Sequence, residues 1–288
     1  MSVVIASVGR PGLTQILLDI RGSCIDLPLN VVLVLDGVSK ENPNLELWKE
    51  LSWKVIINPI QLGPSVSYTI GMREVKTPFF RIFTDDDEWD KEAFKEAIRS
   101  LSHGAVLVCQ TNSRDEVGLT TRNSFFPQEF SPLESVYAPI LPWRRNVVYF
   151  HLTSMIFPIE AASLEFDETL IIREDLEWLQ RIFDSGIKFV FSETILGTVY
   201  PSHVRSTLRQ TLSIDIDWVK RLSMISPKLA RQFVFFHCFR SAAVSGMPSR
   251  IIKQLIPLCK IVGAPNIREF ASIFFYLTLS LGKKFHLN

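Results

Sequence analysis

A short apolar run, Phe79-Phe80-Arg81-Ile82-Phe83-Thr84, drives straight into four consecutive carboxylates, Asp85-Asp86-Asp87-Glu88. Adjacent acids at the end of a buried strand repel one another, and a hard divalent cation with oxygen ligands would relieve that repulsion. If the chain stays extended there, Asp85 and Asp87 point the same way. One would reach a metal and the other a ribose or a metal-bound water, and the metal would make a diphosphate a better leaving group. The alternative is a solvated acidic turn capping the helix that starts near Lys91. Asp36, beside Gly37, either accepts a hydrogen bond from a nucleobase or ribose or is simply a turn residue. Glu174-Asp175 follows a second acidic patch, Glu165-Phe166-Asp167-Glu168, at the start of a helix. An acid there is a helix cap, or a general base for a hydroxyl if it lies at a sheet's ligand edge. His203 gains interest only from the suspected metal, whereas His103, His151, His237 and His286 have no such context. Arg144-Arg145 and Arg205 are candidate phosphate partners, and Arg205, Glu174 and His151 form a candidate acceptor side.

The elements that position these residues alternate between strand and helix. Val3–Val8, Val31–Leu35, Lys54–Ile57 and Phe79–Phe83 read as buried strands, and the apolar residues Leu13, Ile16, Leu17 and Ile20 recur at helical spacing. A helix is expected after Gly63-Pro64, and another over Lys91–Leu101. Continuous apolar strands between amphipathic helices predict a largely parallel sheet covered on both faces. Further strands are expected at Ala105–Cys109, Val147–Phe150, Met155–Phe157 and Lys188–Phe191, with a helix from about Asp175 to Ser185. Residues 111–146 are polar and Pro-rich and read as a long loop, of the kind that serves as a lid or substrate loop. From about Ser213 the chain reads as helical, broken near Pro227, Pro248, Pro257 and Pro265.

The 288 residues are 47% hydrophobic, ample for a sizeable core, and the net charge is +1. That balance hides an asymmetry. Residues 1–199 carry 18 Lys+Arg against 27 Asp+Glu, and residues 200–288 carry 13 against 3, a balance of +10. An acidic body with a basic tail suggests an anionic partner surface. Cys24, Cys109, Cys238 and Cys259 form no CxxC pair and have no His cluster beside them, which argues against zinc and for reduced cysteines in the cytoplasm. The N-terminus runs directly into a strand pattern, so no secretory signal is expected. The nearest approach to a membrane span, Phe270 to Leu281, is too short.

In order, these pieces resemble the family 2 glycosyltransferases, which have the GT-A fold. Val3–Pro11 is similar to the family's opening strand and loop, and Val31–Ser39 to its second strand with an acidic turn. Thr84-Asp85-Asp86-Asp87-Glu88 resembles its DxD region, and Phe166-Asp167-Glu168 followed by Glu174-Asp175-Leu176-Glu177-Trp178-Leu179 resembles the FDE…EDxxL block. The likeness covers about residues 1–205. It implies an α/β fold, a Rossmann-like mixed sheet flanked by helices, over residues 1–210, divided into a nucleotide-sugar half (1–104) and an acceptor half (105–210). A basic helical region, 211–288, follows. It also implies inverting transfer of a sugar from a nucleotide-diphosphate donor, of uridine or thymidine type, to a glycan, lipid-linked or small-molecule acceptor. On that likeness Ser7, Gly9, Arg10, Asp36, Asp85 and Asp86 bind the donor, with Asp36 at the base and Asp85 at the nucleoside. Asp87 and His203 hold Mn²⁺ or Mg²⁺, and Asp175 takes the acceptor's proton.

The chain departs from the family in one place: the helix after Gly63 carries Ser67-Tyr68-Thr69 where an Ala-Arg-Asn triplet is usual, which puts donor contacts from that helix in doubt. The QxxRW motif of processive synthases is absent, so single addition is expected. The competing readings are a sugar-phosphate nucleotidyltransferase, disfavoured by the Gly-poor Gly9-Arg10-Pro11-Gly12 turn, and a non-catalytic nucleotide-sugar-binding or scaffold protein. The basic tail is either a peripheral membrane contact, a packed subdomain or a homo-oligomer interface. No nucleic-acid recognition motif accompanies it.

Overall fold

The computed structural model describes residues 1–23, 28–115, 118–122, 131–137, 151–170, 173–200, 212–238, 256–267, 269–270 and 273–274. The chain divides into two compact units, one of residues 1–132 and 148–203, the other of 133–147 and 204–288.

The first unit is built on one sheet. Strands β1 (Ser2–Ser7), β2 (Asn30–Asp36), β3 (Lys54–Asn58) and β4 (Phe79–Thr84) run parallel in the order β3-β2-β1-β4. Val3, Val4 and Ile5, like Val32 to Leu35, are wholly shielded from water, which is why these runs are apolar on both faces. Helix α1 (Leu13–Ser23) returns the chain from β1 to β2, burying Leu13, Ile16, Leu17 and Ile20 along one stripe. Helices α2 (Leu45–Leu51) and α3 (Pro64–Met72) follow. A Cβ at Gly71 of α3 would lie 2.4 Å from Val4 Cγ1, so only glycine lets this helix approach the sheet so closely.

The chain moves to one side of β1 to make β2 and β3 and later to the other side to make β4. The ends of β1 and β4 therefore diverge into a crevice at the switch point, where open α/β sheets bind ligands.

Beyond β4 the sheet becomes mixed. Strand β8 (Met155–Pro158) runs antiparallel to both β4 and β6 (Ala105–Asp115), and β9 (Lys188–Val199) lies parallel to β6. The two-residue strand β5 (Glu88–Trp89) pairs antiparallel with β9 and is followed by α4 (Lys91–Arg99), capped by Asp90. The expected long loop is partly regular, because β6 continues to Asp115 and forms a hairpin with β7 (Gly118–Arg122), and α5 spans Pro132–Tyr137. Thr111 and Ser113 are buried on that extension, so its polar residue types do not mark a loop. The strand expected at residues 147–150 lies outside the described residues.

Helix α6 (Glu174–Asp184) is anchored by Trp178, which is fully buried. Its ring lies 4.5 Å from Phe166 and 4.8 Å from Phe157, and Phe157 stacks on Phe80 of β4 at 5.4 Å. This aromatic column ties α6 to the sheet.

In the second unit, Trp218 of α7 (Leu212–Ile225) donates its indole N–H to the Tyr137 hydroxyl at 3.2 Å, and α8 (Pro227–Gln232) is capped by Ser226. No described helix is long and apolar enough to cross a membrane. Cys109, Cys238 and Cys259 are free thiols, and Cys24 lies outside the described residues.

Candidate active site

Ser7 ends β1 and Asp85 follows β4, and the register Ala6 to Thr84 brings them together. The Ser7 hydroxyl donates to Asp85, and the Gly9 N–H donates to the Ser7 oxygen at 2.9 Å. Arg10 bridges two acids, with Nη1 2.6 Å from Asp85 Oδ1 and 2.8 Å from Asp86 Oδ2. Burial pushes the Asp85 carboxyl up, against the pull of the Ser7 hydroxyl and the Arg10 charge.

Asp87 turns the other way and accepts from the Thr84 hydroxyl at 2.5 Å. Burial first, then the neighbouring Asp86 charge, pushes it up to about 6, although the Thr84 and Thr153 hydroxyls favour its charged form.

Opposite stands the start of α6. Burial and the Asp175 charge push the Glu174 carboxyl up to about 8. Asp175 is also raised by burial, while the Leu176 N–H, donating at 2.8 Å, and His151 favour its charged form. Arg173, immediately before, holds a left-handed backbone, φ 63° and ψ 17°, at which a side chain is strained. That turn aims Glu174 and Asp175.

The two acidic groups share a neighbour. Tyr68 of α3 is buried, and its phenol is raised first by burial and then by the charges of Glu174, Asp87, Asp85 and Asp86. Four carboxylates from the two acidic groups thus act on one buried, neutral hydroxyl. Such an arrangement is unfavourable without positive charge, and it suits a ligand that brings cations or takes up protons.

Residues 2–163, more than half of the chain, match the model of glycosyl transferase family 2. The chain belongs to that family. It is a glycosyltransferase with the GT-A fold, as the resemblance implied. A sequence comparison with curated proteins gives no match. Among solved structures, residues 1–349 of S. aureus TarS in complex with UDP-GlcNAc superpose with a TM-score of 0.65 at 13% identity, covering 98% of this chain and 88% of that one. The mannosyltransferase PcManGT from Pyrobaculum calidifontis, in complex with GDP-Man and Mn²⁺, gives 0.56 at 16% identity over 98% and 86%. Longer TarS is covered over 53% of its length.

In this glycosyltransferase the expected donor residue Asp36 is already engaged. Its carboxylate accepts from Leu62 N at 2.9 Å, Gly63 N at 2.8 Å and Asn58 Nδ2 at 3.0 Å. Burial alone would raise its pKa, but these donors together with Ser67 hold it below the usual range. Beside it, Gly37 has φ 74°, and a Cβ there would lie 2.9 Å from Gln61 N, so the loop over 58–63 is folded tightly onto the end of β2.

The unusual triplet in α3 finds its uses. Ser67 accepts from Asn58 at 3.3 Å, Tyr68 faces the acids, and Thr69 accepts from Phe166 N at 3.1 Å, holding the segment before α6. Asp167 caps its own turn through Thr169 N at 2.9 Å. His203, Arg205, Arg144 and Arg145 lie outside the described residues.

Oxygen donors suit Mg²⁺ or Mn²⁺, and Asp87, a buried carboxylate beside Asp86 whose charge Arg81 offsets only in part, fits such an ion. Among the described residues no three His, Cys, Asp or Glu side chains form a cage. Mg²⁺ is usually held by one or two carboxylates plus substrate phosphates, so a cage is not required.

Arg81 escaped the sequence reading. It is fully buried, with Nε donating to Thr153 O at 2.8 Å and Nη2 to Leu196 O at 3.2 Å. Its guanidinium lies over Phe83 and Trp89 at 4.8 and 4.6 Å, and burial pulls it down to about 9. It joins β4 to Thr153 and β9 beneath the acidic turn. A charge in the middle of Phe-Phe-Arg-Ile-Phe is the signal that marks it.

Proposed function

We propose that this glycosyltransferase moves a sugar from a nucleoside-diphosphate sugar to an acceptor hydroxyl with inversion, in the building of a glycan or glycolipid. The observation that carries this is the convergence of Asp85, Asp86 and Asp87 with Glu174 on Tyr68 at the sheet's switch point, with Asp175 next to Glu174 in the first turn of α6. Nucleotide sugars bound to TarS and PcManGT support a donor of that class.

Ser7, Gly9, Arg10 and Asp85 hold the donor side. Asp87 would hold Mn²⁺ or Mg²⁺ against the donor diphosphate, with His203 as a second ligand, and the bound cation supplies charge neutralisation to the leaving group. Asp175 accepts the proton of the acceptor hydroxyl. The freed oxygen forms its bond to the anomeric carbon on one face while the bond to the diphosphate breaks on the other. Burial raises Asp175, which makes it a stronger base than a solvated carboxylate. Glu174 and His151 form the acceptor side.

Asp175→Asn tests the assignment. Turnover, read as nucleoside diphosphate release, should fall by about 10²–10⁴, with donor binding within a few-fold of wild type. Turnover that survived the substitution would reject Asp175 as base. The donor class is read from a thermal-shift screen of uridine, thymidine and guanosine diphosphates with Mn²⁺.

A further inference from the structure

The last described stretch of the second unit contains a helix that turns Glu269 inward and Ile267, Phe270 and Phe274 outward. Residues 267, 269, 270, 273 and 274 are helical, with Phe270 N donating to Asn266 O at 2.8 Å. Glu269 is buried, and its carboxylate accepts from Arg231 Nε at 3.1 Å, Arg231 Nη2 at 2.5 Å and Asn266 N at 2.7 Å. Arg231 also donates to Val262 O at 2.6 Å and Ala264 O at 2.9 Å, so one guanidinium fixes the whole approach to this helix.

With Glu269 pinned inward, the residues at i, i+3 and i+7 point outward. Ile267 is 90% exposed, Phe270 62% and Phe274 65%. Large apolar side chains at helical spacing on one outward face are unfavourable in water and mark a surface that is covered in use.

Charge decides what covers it. Residues 200–288 carry 13 Lys+Arg against 3 Asp+Glu. Of those acids, Glu269 is held by Arg231 and Asp217 lies 3.6 Å from Lys220, so each is already matched to a cation and a surplus of 10 positive charges remains. A second copy docked here would set two strongly positive regions against each other. A surface of anionic lipid headgroups answers both features, giving the rings an apolar boundary layer and the basic residues their counter-charge.

We propose that the Ile267, Phe270 and Phe274 face is a peripheral membrane-docking surface selective for anionic lipid. This goes beyond the transferase reading and does not depend on it.

The test uses the full chain with vesicles of phosphatidylcholine, alone or mixed with phosphatidylglycerol. Co-sedimentation should require phosphatidylglycerol and weaken as salt is raised. Phe270→Ser with Phe274→Ser should lower partitioning by about tenfold or more. These side chains are exposed, so the melting temperature should hold. If it falls, Phe270→Trp decides alone, since brominated lipid should quench this variant's emission more than that of wild type, which already carries six Trp. The proposal is overturned by equal vesicle binding of the double variant, by binding indifferent to phosphatidylglycerol, by quenching of Phe270→Trp no greater than that of wild type, or by a vesicle-inert dimer that the double variant converts to monomer.

Discussion

Asp36→Asn separates two roles for one residue. If Asp36 reads the donor base, the variant should alter nucleotide preference and leave the fold alone. The structure instead shows its carboxylate taken up by two backbone N–H groups and the Asn58 amide, with 5% of the residue exposed. An Asn side chain has one acceptor oxygen. Whichever way it turns, its NH₂ faces at least one N–H, and a charge-assisted bond is lost. Bonds to charged groups contribute about 1.5–3 kcal/mol each. We therefore expect a loss of about 2–3 kcal/mol, or about 4–12 °C in melting temperature for a unit of this size. Donor binding should weaken as the loop over 58–63 loosens, without a change in base preference.

The pH dependence adds a check. Asp36 is held below the usual carboxylate range, so its contribution is complete above the unfolded value and disappears as pH falls through the folded one. The gap between wild type and variant should close in acid. A variant that melts with wild type at neutral pH while its nucleotide preference shifts would refute the clamp.

Two further outcomes follow from the same geometry. Asp87, raised to about 6, binds more protons folded than unfolded between the ordinary Asp value and that point, so ligand-free stability falls as pH rises across this window. A divalent cation must displace the remaining proton, so the Mn²⁺-induced thermal shift should be large at about pH 7.5 and small at about pH 5; a pH-independent shift would contradict Asp87 as the ligand. Gly71→Ala would place a methyl 2.4 Å from Val4 Cγ1 and 3.3 Å from Val34 Cγ2, and overpacking of this kind costs about 1–3 kcal/mol. The denaturant midpoint should drop and partly recover with Val4→Ala; an unchanged midpoint would show that α3 can move.

The parallel half of the sheet is legible because each strand is an apolar run closed by a turn residue, as at Leu35-Asp36-Gly37 and Phe83-Thr84-Asp85. Strand direction beyond β4 is not legible, since β8 is set antiparallel by partners far along the chain, Phe79 and Phe80 on one side and Leu107 and Val108 on the other. β5 is two residues long and has no period to detect. In the site, the run of acids announces itself through charge at the end of an apolar strand. The occupation of Asp36 cannot be read from Asp-Gly, because its partners are backbone N–H groups 26 and 27 residues away. Tyr68 registers in sequence only as a departure from the family triplet; its place among the acids needs the packing of α3 against β1 and β2. Arg173 carries no signal, because arginine, unlike glycine or asparagine, does not mark a left-handed turn in sequence.

The column from Phe80 through Phe157 and Trp178 to Phe166 has a bearing on how such an enzyme diversifies. The proposed donor residues sit where two neighbouring strands part, whereas the proposed proton acceptor, Asp175, rides on a separate helix steadied by stacked rings. Substitutions of Phe157, Phe166 or Trp178, none of which lies on β1 or β4, can shift the helix by fractions of an ångström and so re-aim the acceptor's approach while leaving the nucleotide's seat in place. One half of the reaction can therefore be inherited unchanged while the other is retuned from the interior.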